Sequence, residues 1–280
     1  MKAKLVAGLV AIALGGFTSC GNILEENGVI NNVAQNGTGE LRINLNQDPS
    51  VNVISKAGTF DGNKVTLTED EIGNFDITVS EVTELSGKYS AIKNKTATAS
   101  AGEHTISATY GSMSGDFAFD TPCFSGTQSV TVKANEAVTG NVTCTLSNSI
   151  IVIDAEALNT FKTDATITNI VAITGTVDNE TNLSSGISLL DTEKELKTGT
   201  LYVKSDLTDA KIVLDGVLKN DTSRKFRAIA NIKKETNAGA GNKYNVKYTL
   251  STSQGSLKIT VDVNGEVTQQ DVPVNINPYE

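Results

Sequence analysis

Gly39-Glu40-Leu41-Arg42-Ile43-Asn44-Leu45 sets an apolar side chain at every second position, and that period decides the fold. A strand sends successive side chains to opposite faces, so Leu41, Ile43 and Leu45 would line a buried face while Arg42 and Asn44 stay wet. The alternation recurs in Phe75, Ile77 and Val79, in Ile106, Ala108 and Tyr110, and in Val142, Cys144 and Leu146. Leu201 with Val203, Phe226 to Ile232, Tyr244 to Leu250 and Leu257 to Val263 continue it. Turn signals separate the runs: Asp61-Gly62-Asn63, Ser86-Gly87, Asn135-Glu136 and Asn264-Gly265. Asn-Gly supplies the positive φ that a tight hairpin needs. Short strands at this spacing predict antiparallel sandwiches rather than βαβ units. Two segments depart from the pattern. Thr68-Glu69-Asp70-Glu71-Ile72 opens on a capping residue followed by acids, and Asp154 to Phe161 sets Ala157, Leu158 and Phe161 on one face. The expected fold is all-β, with two tandem antiparallel β-sandwiches and one or two short helices.

Composition agrees. Thr makes up roughly an eighth of the 280 residues, and Thr, Val and Ile suit half-buried pleated surfaces. With 39% apolar and 20% charged residues the chain is not of disordered type. Its length supports two domains of roughly 100 to 150 residues. The formal charge is −9, from 23 Lys and Arg against 32 Asp and Glu. That balance argues against nucleic acid, which needs clustered cations. A single His argues against His-based metal sites and Ser-His triads.

The N-terminus reads as an address. Lys2 and Lys4 form a basic start, and Leu5 to Leu14 is an apolar stretch of ten residues. Spanning a bilayer takes ~20 residues, so this is a signal segment rather than a membrane span. Gly15, Gly16, Thr18 and Ser19 lead into Cys20, and Phe17-Thr18-Ser19-Cys20 resembles a bacterial lipobox with Phe in place of the usual Leu. The resemblance implies diacylglycerol on the Cys20 sulfur, cleavage before Cys20 and acylation (palmitate or a similar chain) of the new amino group. Each buried methylene contributes ~0.8 kcal/mol, so two or three chains anchor firmly. Loss of residues 1–19 removes two lysines and no acid, leaving −11. Residues 20–38 read as a polar tether. Glu25 and Glu26 within it resemble the surface-export signal of Bacteroidetes lipoproteins, set further from the Cys than is usual, and equally fit a solvated linker. The expected organisation is signal 1–19, tether 20–38, a sandwich over 39–148 and a second over 149–280.

A longer resemblance rests on Gly39 to Leu45, Phe75-Asp76-Ile77-Thr78-Val79, His104-Thr105-Ile106-Ser107-Ala108-Thr109-Tyr110-Gly111, Thr121-Pro122-Cys123-Phe124-Ser125-Gly126 and Val142-Thr143-Cys144-Thr145-Leu146-Ser147-Asn148. The chain resembles, over residues 37 to 280, a family of Bacteroidetes surface lipoproteins whose domain has no assigned function. Those proteins resemble fimbrillins, which pair two transthyretin-like sandwiches behind a lipoprotein signal. The resemblance implies a structural protein of the cell surface. One departure matters: some fimbrillins are matured by trypsin-like cleavage ahead of the first strand, and here the first Arg is Arg42, inside that strand.

Residues able to carry chemistry are few. Cys123 and Cys144, an even pair in an exported chain, suggest a disulfide; the alternative is a buried free Cys144 with Cys123 unpaired in a loop. His104 at a strand start reads as a surface residue. The acid pairs Asp154 with Glu156 and Asp178 with Glu180 lack the cleft-spanning separation of a glycosidase. Asp178-Asn179-Glu180-Thr181-Asn182 only faintly resembles a calcium loop. Ala238-Gly239-Ala240-Gly241 lacks the Lys-Ser/Thr ending of a phosphate loop and reads as a hairpin tip. Lys225, Arg227, Lys233 and Lys234 read as the wet face of an amphipathic strand. No enzyme, cofactor or metal is expected.

The expectation for function is an outer-membrane, lipid-anchored and surface-exposed protein of adhesive or structural type, with a fimbrial tip or accessory subunit as the sharper form. Its partners would be the membrane through Cys20 and other surface or fimbrial proteins. The alternative is a carbohydrate-binding lipoprotein for glycan capture, which the scarcity of aromatics (no Trp, 6 Tyr, 8 Phe) ranks second. Donor strands for assembly would come from Gly39 to Leu45 or from Asp271 to Ile276, where Pro273 restricts the strand to an edge. With both paired inside their own fold, the protein would be a monomer.

Overall fold

Leu41, Ile43 and Leu45 do face inward, on a ten-residue strand whose exposed and buried positions alternate throughout. The computed structural model describes residues 37–50, 52–53, 64–179, 181–232, 241–253 and 256–271. The first half runs β1 (Thr38–Gln47), β2 (Asn52–Val53), α1 (Glu69–Gly73), β3 (Asp76–Val79), β4 (Gly87–Lys88), α2 (Tyr89–Ile92), β5 (Ala97–Ser100), β6 (Gly102–Tyr110), β7 (Phe117–Phe119), β8 (Phe124–Val132) and β9 (Ala137–Leu146). The second runs β10 (Ser149–Ile153), α3 (Ala155–Asp164), β11 (Ala165–Thr174), β12 (Ile187–Ser188), β13 (Leu201–Val203), β14 (Ala210–Leu218), β15 (Lys225–Ile232), β16 (Asn242–Ser253), β17 (Ser256–Val263) and β18 (Glu266–Asp271). The protein is all-β, with three short α-helices among the described residues, one more than the sequence suggests: α2 has no capping side chain to announce it.

In the first half the strand order is β4-β3-β6-β8-β9-β1-β5. β8 and β9 pair at Phe124 with Leu146 and Ser125 with Thr145, and the path folds over beyond that corner. Gly140 on β9 lies against Ile106 on β6, so closely that a Cβ there would stand 2.1 Å from Ile106 Cδ1. The folded path encloses Leu41, Ile43, Phe75, Ile77, Ile106 and Phe124. β1 is flanked on both sides, parallel to β9 from Glu40 to Gln47 and antiparallel to β5 from Thr38 to Leu41.

In the second half, β18-β17-β16-β10-β13-β7 faces β12-β11-β14-β15 across a core that includes Phe161, Ile170, Ile212, Phe226 and Tyr248. Phe161 and Phe226 meet edge to face at 5.6 Å, and the buried Tyr248 hydroxyl donates to Ile212 O at 2.8 Å, tying one layer to the other. Asn264 and Gly265, both at positive φ (52° and 84°), form the two-residue turn between β17 and β18.

The halves exchange material around Asn148. β7 precedes β8 in the chain yet forms an edge of the second half's seven-stranded sheet, which β2 also joins beside β16, and Phe117 sits in that core. Ile150 and Tyr202 pack in the first. Asn148 is buried and joins them: its Oδ1 accepts from Cys123 N, its Nδ2 donates to Thr121 O at 2.8 Å, and its carbonyl accepts from Gly241 N.

Candidate functional site

His104 is not on the surface. It is 1% exposed, because its side chain follows the inward face of β6 beside Ile106. Its Nδ1 lies 2.9 Å from Ser80 O and its Nε2 2.8 Å from Ser100 O. Carbonyl oxygens only accept, so satisfying both requires a proton on each ring nitrogen, which is the imidazolium form. Burial opposes that charge, but the two carbonyls and the nearby Glu81 carboxylate outweigh it, and the His104 pKa is raised. The ring clamps the turn after β3 to the end of β5. With both ring nitrogens engaged by carbonyls, its role here is structural.

The cysteines are both buried free thiols, and the disulfide suggested by their even count is not made. Register is the reason. Cys123 O accepts from Ser147 N at 2.7 Å, whereas Cys144 lies beside Gly126, where an added Cβ would stand 3.0 Å from its Sγ. Three residues of strand, about 10 Å, separate the two positions, beyond the roughly 7 Å that a disulfide spans between Cα atoms. The Sγ of Cys123 points to Thr121 O and that of Cys144 to Ala108 O. Burial raises both thiol pKa values, that of Cys144 to about 11, so neither is a nucleophile at neutral pH. Cys20 lies outside the described residues, as do Lys233, Lys234, residues 238–240 and 272–276.

Of the acid pairs, Asp154 and Asp178 take structural roles, and Glu180 lies outside the described residues. Asp154 caps α3, its Oδ1 accepting from Ala157 N at 2.9 Å. Thr68 and Glu71 make the reciprocal capping box of α1. Asp178 closes a turn with Thr181, whose hydroxyl donates to Asp178 Oδ1 and accepts from Asp178 N. No group of three His, Cys, Asp or Glu side chains able to hold a metal ion occurs among the described residues.

Arg227 departs from the wet-face expectation, and its surroundings form the most developed polar site described. Its side chain is 13% exposed, and it makes a bidentate pair with Asp215, itself 17% exposed. Nε donates to Asp215 Oδ1 at 2.7 Å and Nη2 to Oδ2 at 2.8 Å, while Nη1 reaches Asp178 O and Thr181 O at 2.7 and 2.9 Å. A guanidinium thus holds the carbonyls of Asp178 and Thr181, two of the residues named in the calcium reading. The pair lies on the outer face of the β12-β11-β14-β15 sheet, in a row running Asn169, Asp215, Arg227 across β11, β14 and β15. Beside it Val171, Ile173 and Val213 form a small buried cluster under Val177 and Leu183. The row, Val171 and the overlying segment from Thr181 to Ser188 bound an open cleft of about 510 Å3.

The site has one sequence signal that strand alternation passes over. Asp215 interrupts the near-continuous apolar run Ile212-Val213-Leu214, and a charge among buried neighbours requires a partner. Asn169 gives none. In β11 the inward residues are Ala165 and Ile167, then Ile170 and Ala172, because a bulge between Ile167 and Asn169 reverses the phase. Strict alternation would have buried Asn169.

The described residues define an all-β protein built of packed sheets. Residues 37–278 match the family model described as a domain of unknown function, DUF4493, and the chain belongs to that family. No curated protein matches it. Among solved structures it is similar to the fimbrial anchor protein Mfa2 from Porphyromonas gingivalis, at 11% identity and a TM-score of 0.36, covering 82% of this chain and 98% of that one. It is also similar to a fimbrial assembly protein from Parabacteroides distasonis, at 11% identity and a TM-score of 0.37, covering 84% and 98%.

Proposed function

We propose that this protein is a lipid-anchored surface protein of adhesive or structural type, acting as a fimbrial tip or accessory subunit and held in the outer membrane through Cys20. The proposal takes residues 1–19 as the signal, 20–38 as the tether and the two sandwiches as 39–148 and 149–280. The observation that carries it is the place of β1. A shaft subunit joined by strand donation needs a vacant slot between two strands. In this chain Thr38–Gln47 fills the position between β9 and β5 and buries Leu41, Ile43 and Leu45. A subunit already complete at that position supports an anchoring, capping or adhesive role over a repeating one. The carbohydrate reading is the second, and the cleft beside Arg227 is the observation that favours it.

Two measurements test the proposal. Wild type is expected to enter the detergent phase in Triton X-114 partition, and Cys20→Ala to stay in the aqueous phase; equal partition refutes the anchor. Light scattering of the chain without residues 1–20 should give a monomer. Spontaneous filaments would refute the tip or accessory role.

A further inference from the structure

We infer that the cleft over β11, β14 and β15 is a binding site for a neutral polyhydroxylated ligand, a single sugar residue of a glycan. The inference rests on and deepens the carbohydrate reading, and is independent of the anchoring and fimbrial one. It begins with charge. The cleft's described lining carries one carboxylate and one guanidinium, Asp215 and Arg227, locked to each other. Four of the guanidinium's N–H groups already have acceptors in Asp215 and in the carbonyls of Asp178 and Thr181. A phosphate or carboxylate ligand therefore finds no free cation, and a cationic ligand finds a carboxylate already neutralised.

What remains open suits hydroxyls. Each Asp215 oxygen takes one hydrogen bond from Arg227 and retains capacity for another. The two open lone pairs diverge, so each can accept from a separate hydroxyl of a polyhydroxylated ligand. Asn169, exposed in the same row, offers an amide with both donors and an acceptor, and Ser184 and Asn182, whose Oδ1 accepts from Ser184 N, line the cleft from the covering segment. A sugar hydroxyl both donates and accepts, so it pairs with this mixture where a purely accepting or donating ligand pairs with half of it. The half-buried Leu183, packed over Val171, adds a small apolar surface for the C–H face of a pyranose ring. The site is also built rather than incidental: the β11 bulge alone turns Asn169 outward, and the Arg227 bonds to Asp178 and Thr181 hold the covering segment over the row. With no aromatic ring to stack on, a single sugar should bind with Kd on the order of 1 mM, and display of many copies would raise the avidity.

The experiment is a glycan array carrying neutral and acidic glycans, probed with the full chain in mild detergent and followed by NMR titration of the sugar at the tip of each hit. Two variants are run alongside. Asn169→Ala removes the open amide, and Ser184→Trp fills the cleft from an exposed position without touching the ion pair. Neutral glycans are expected to bind, Asn169→Ala to weaken binding by about three- to tenfold, and Ser184→Trp to abolish it, both with unchanged circular dichroism. The inference is overturned if no neutral glycan binds, if only acidic glycans bind, or if neither variant changes the affinity. None of those outcomes bears on detergent partition or oligomeric state.

Discussion

Replacing His104 by Phe keeps a ring of similar size in the core and removes both N–H donors from Ser80 O and Ser100 O. Hydrogen bonds from a charged donor contribute about 1.5–3 kcal/mol each, and part of the loss is offset because burying Phe is less unfavourable than burying a cation. A net destabilisation of about 2–4 kcal/mol follows, which for a chain of this length lowers Tm by roughly 5–15 °C. The pH dependence is the sharper test. The pKa of His104 in the folded protein is raised, burial pulling it down but the carbonyls of Ser100 and Ser80 and the Glu81 carboxylate prevailing. A raised pKa means that the folded state binds the proton more tightly than the unfolded state. The stabilisation is therefore complete below the unfolded value of about 6.5 and fades as pH rises through the folded value. The assay is thermal unfolding of wild type and His104→Phe from pH 5.5 to 9, reading the difference in Tm so that other titrations cancel. As the chain has one His, its imidazole resonances also report the folded pKa directly. The difference should be largest at pH 5.5 and shrink as pH rises. A difference that is constant, or that grows with pH, would refute the imidazolium clamp.

Two further outcomes are expected. In a Cys20→Ala chain, a thiol reagent at pH 8 should find almost no reactive cysteine in the native protein and two in denaturant without reductant, since Cys123 and Cys144 are buried and unpaired; a thiol-free unfolded chain would reveal a disulfide. Arg227→Met should destabilise by about 3–5 kcal/mol by stranding the Asp215 charge, and adding Asp215→Leu should recover much of that loss, as measured by urea unfolding. It should also admit protease between Gly175 and Gly186, because Arg227 holds the carbonyls of Asp178 and Thr181.

Local signals settled much of this protein. Period-2 alternation located the strands with one wet face, β1, β3, β6, β9, β15 and β16 among them, because burial on one side imprints itself on every second residue. Thr68 and Asp154 announced the starts of α1 and α3 because a cap is a contact within one turn of helix, and Asn264-Gly265 announced a hairpin because positive φ belongs to the residue itself. β11 and β14 escaped the same reading: Val171, Ile173 and Val213 are covered by the segment after β11, so both faces are apolar and no alternation remains. Whether His104 is wet, whether Cys123 can reach Cys144, which phase β11 keeps past its bulge and which partner Asp215 finds were decided by tertiary structure alone. Each depends on the register of strands distant in sequence, and a register shift of one residue, which leaves the amino-acid pattern intact, carries every side chain to the opposite face.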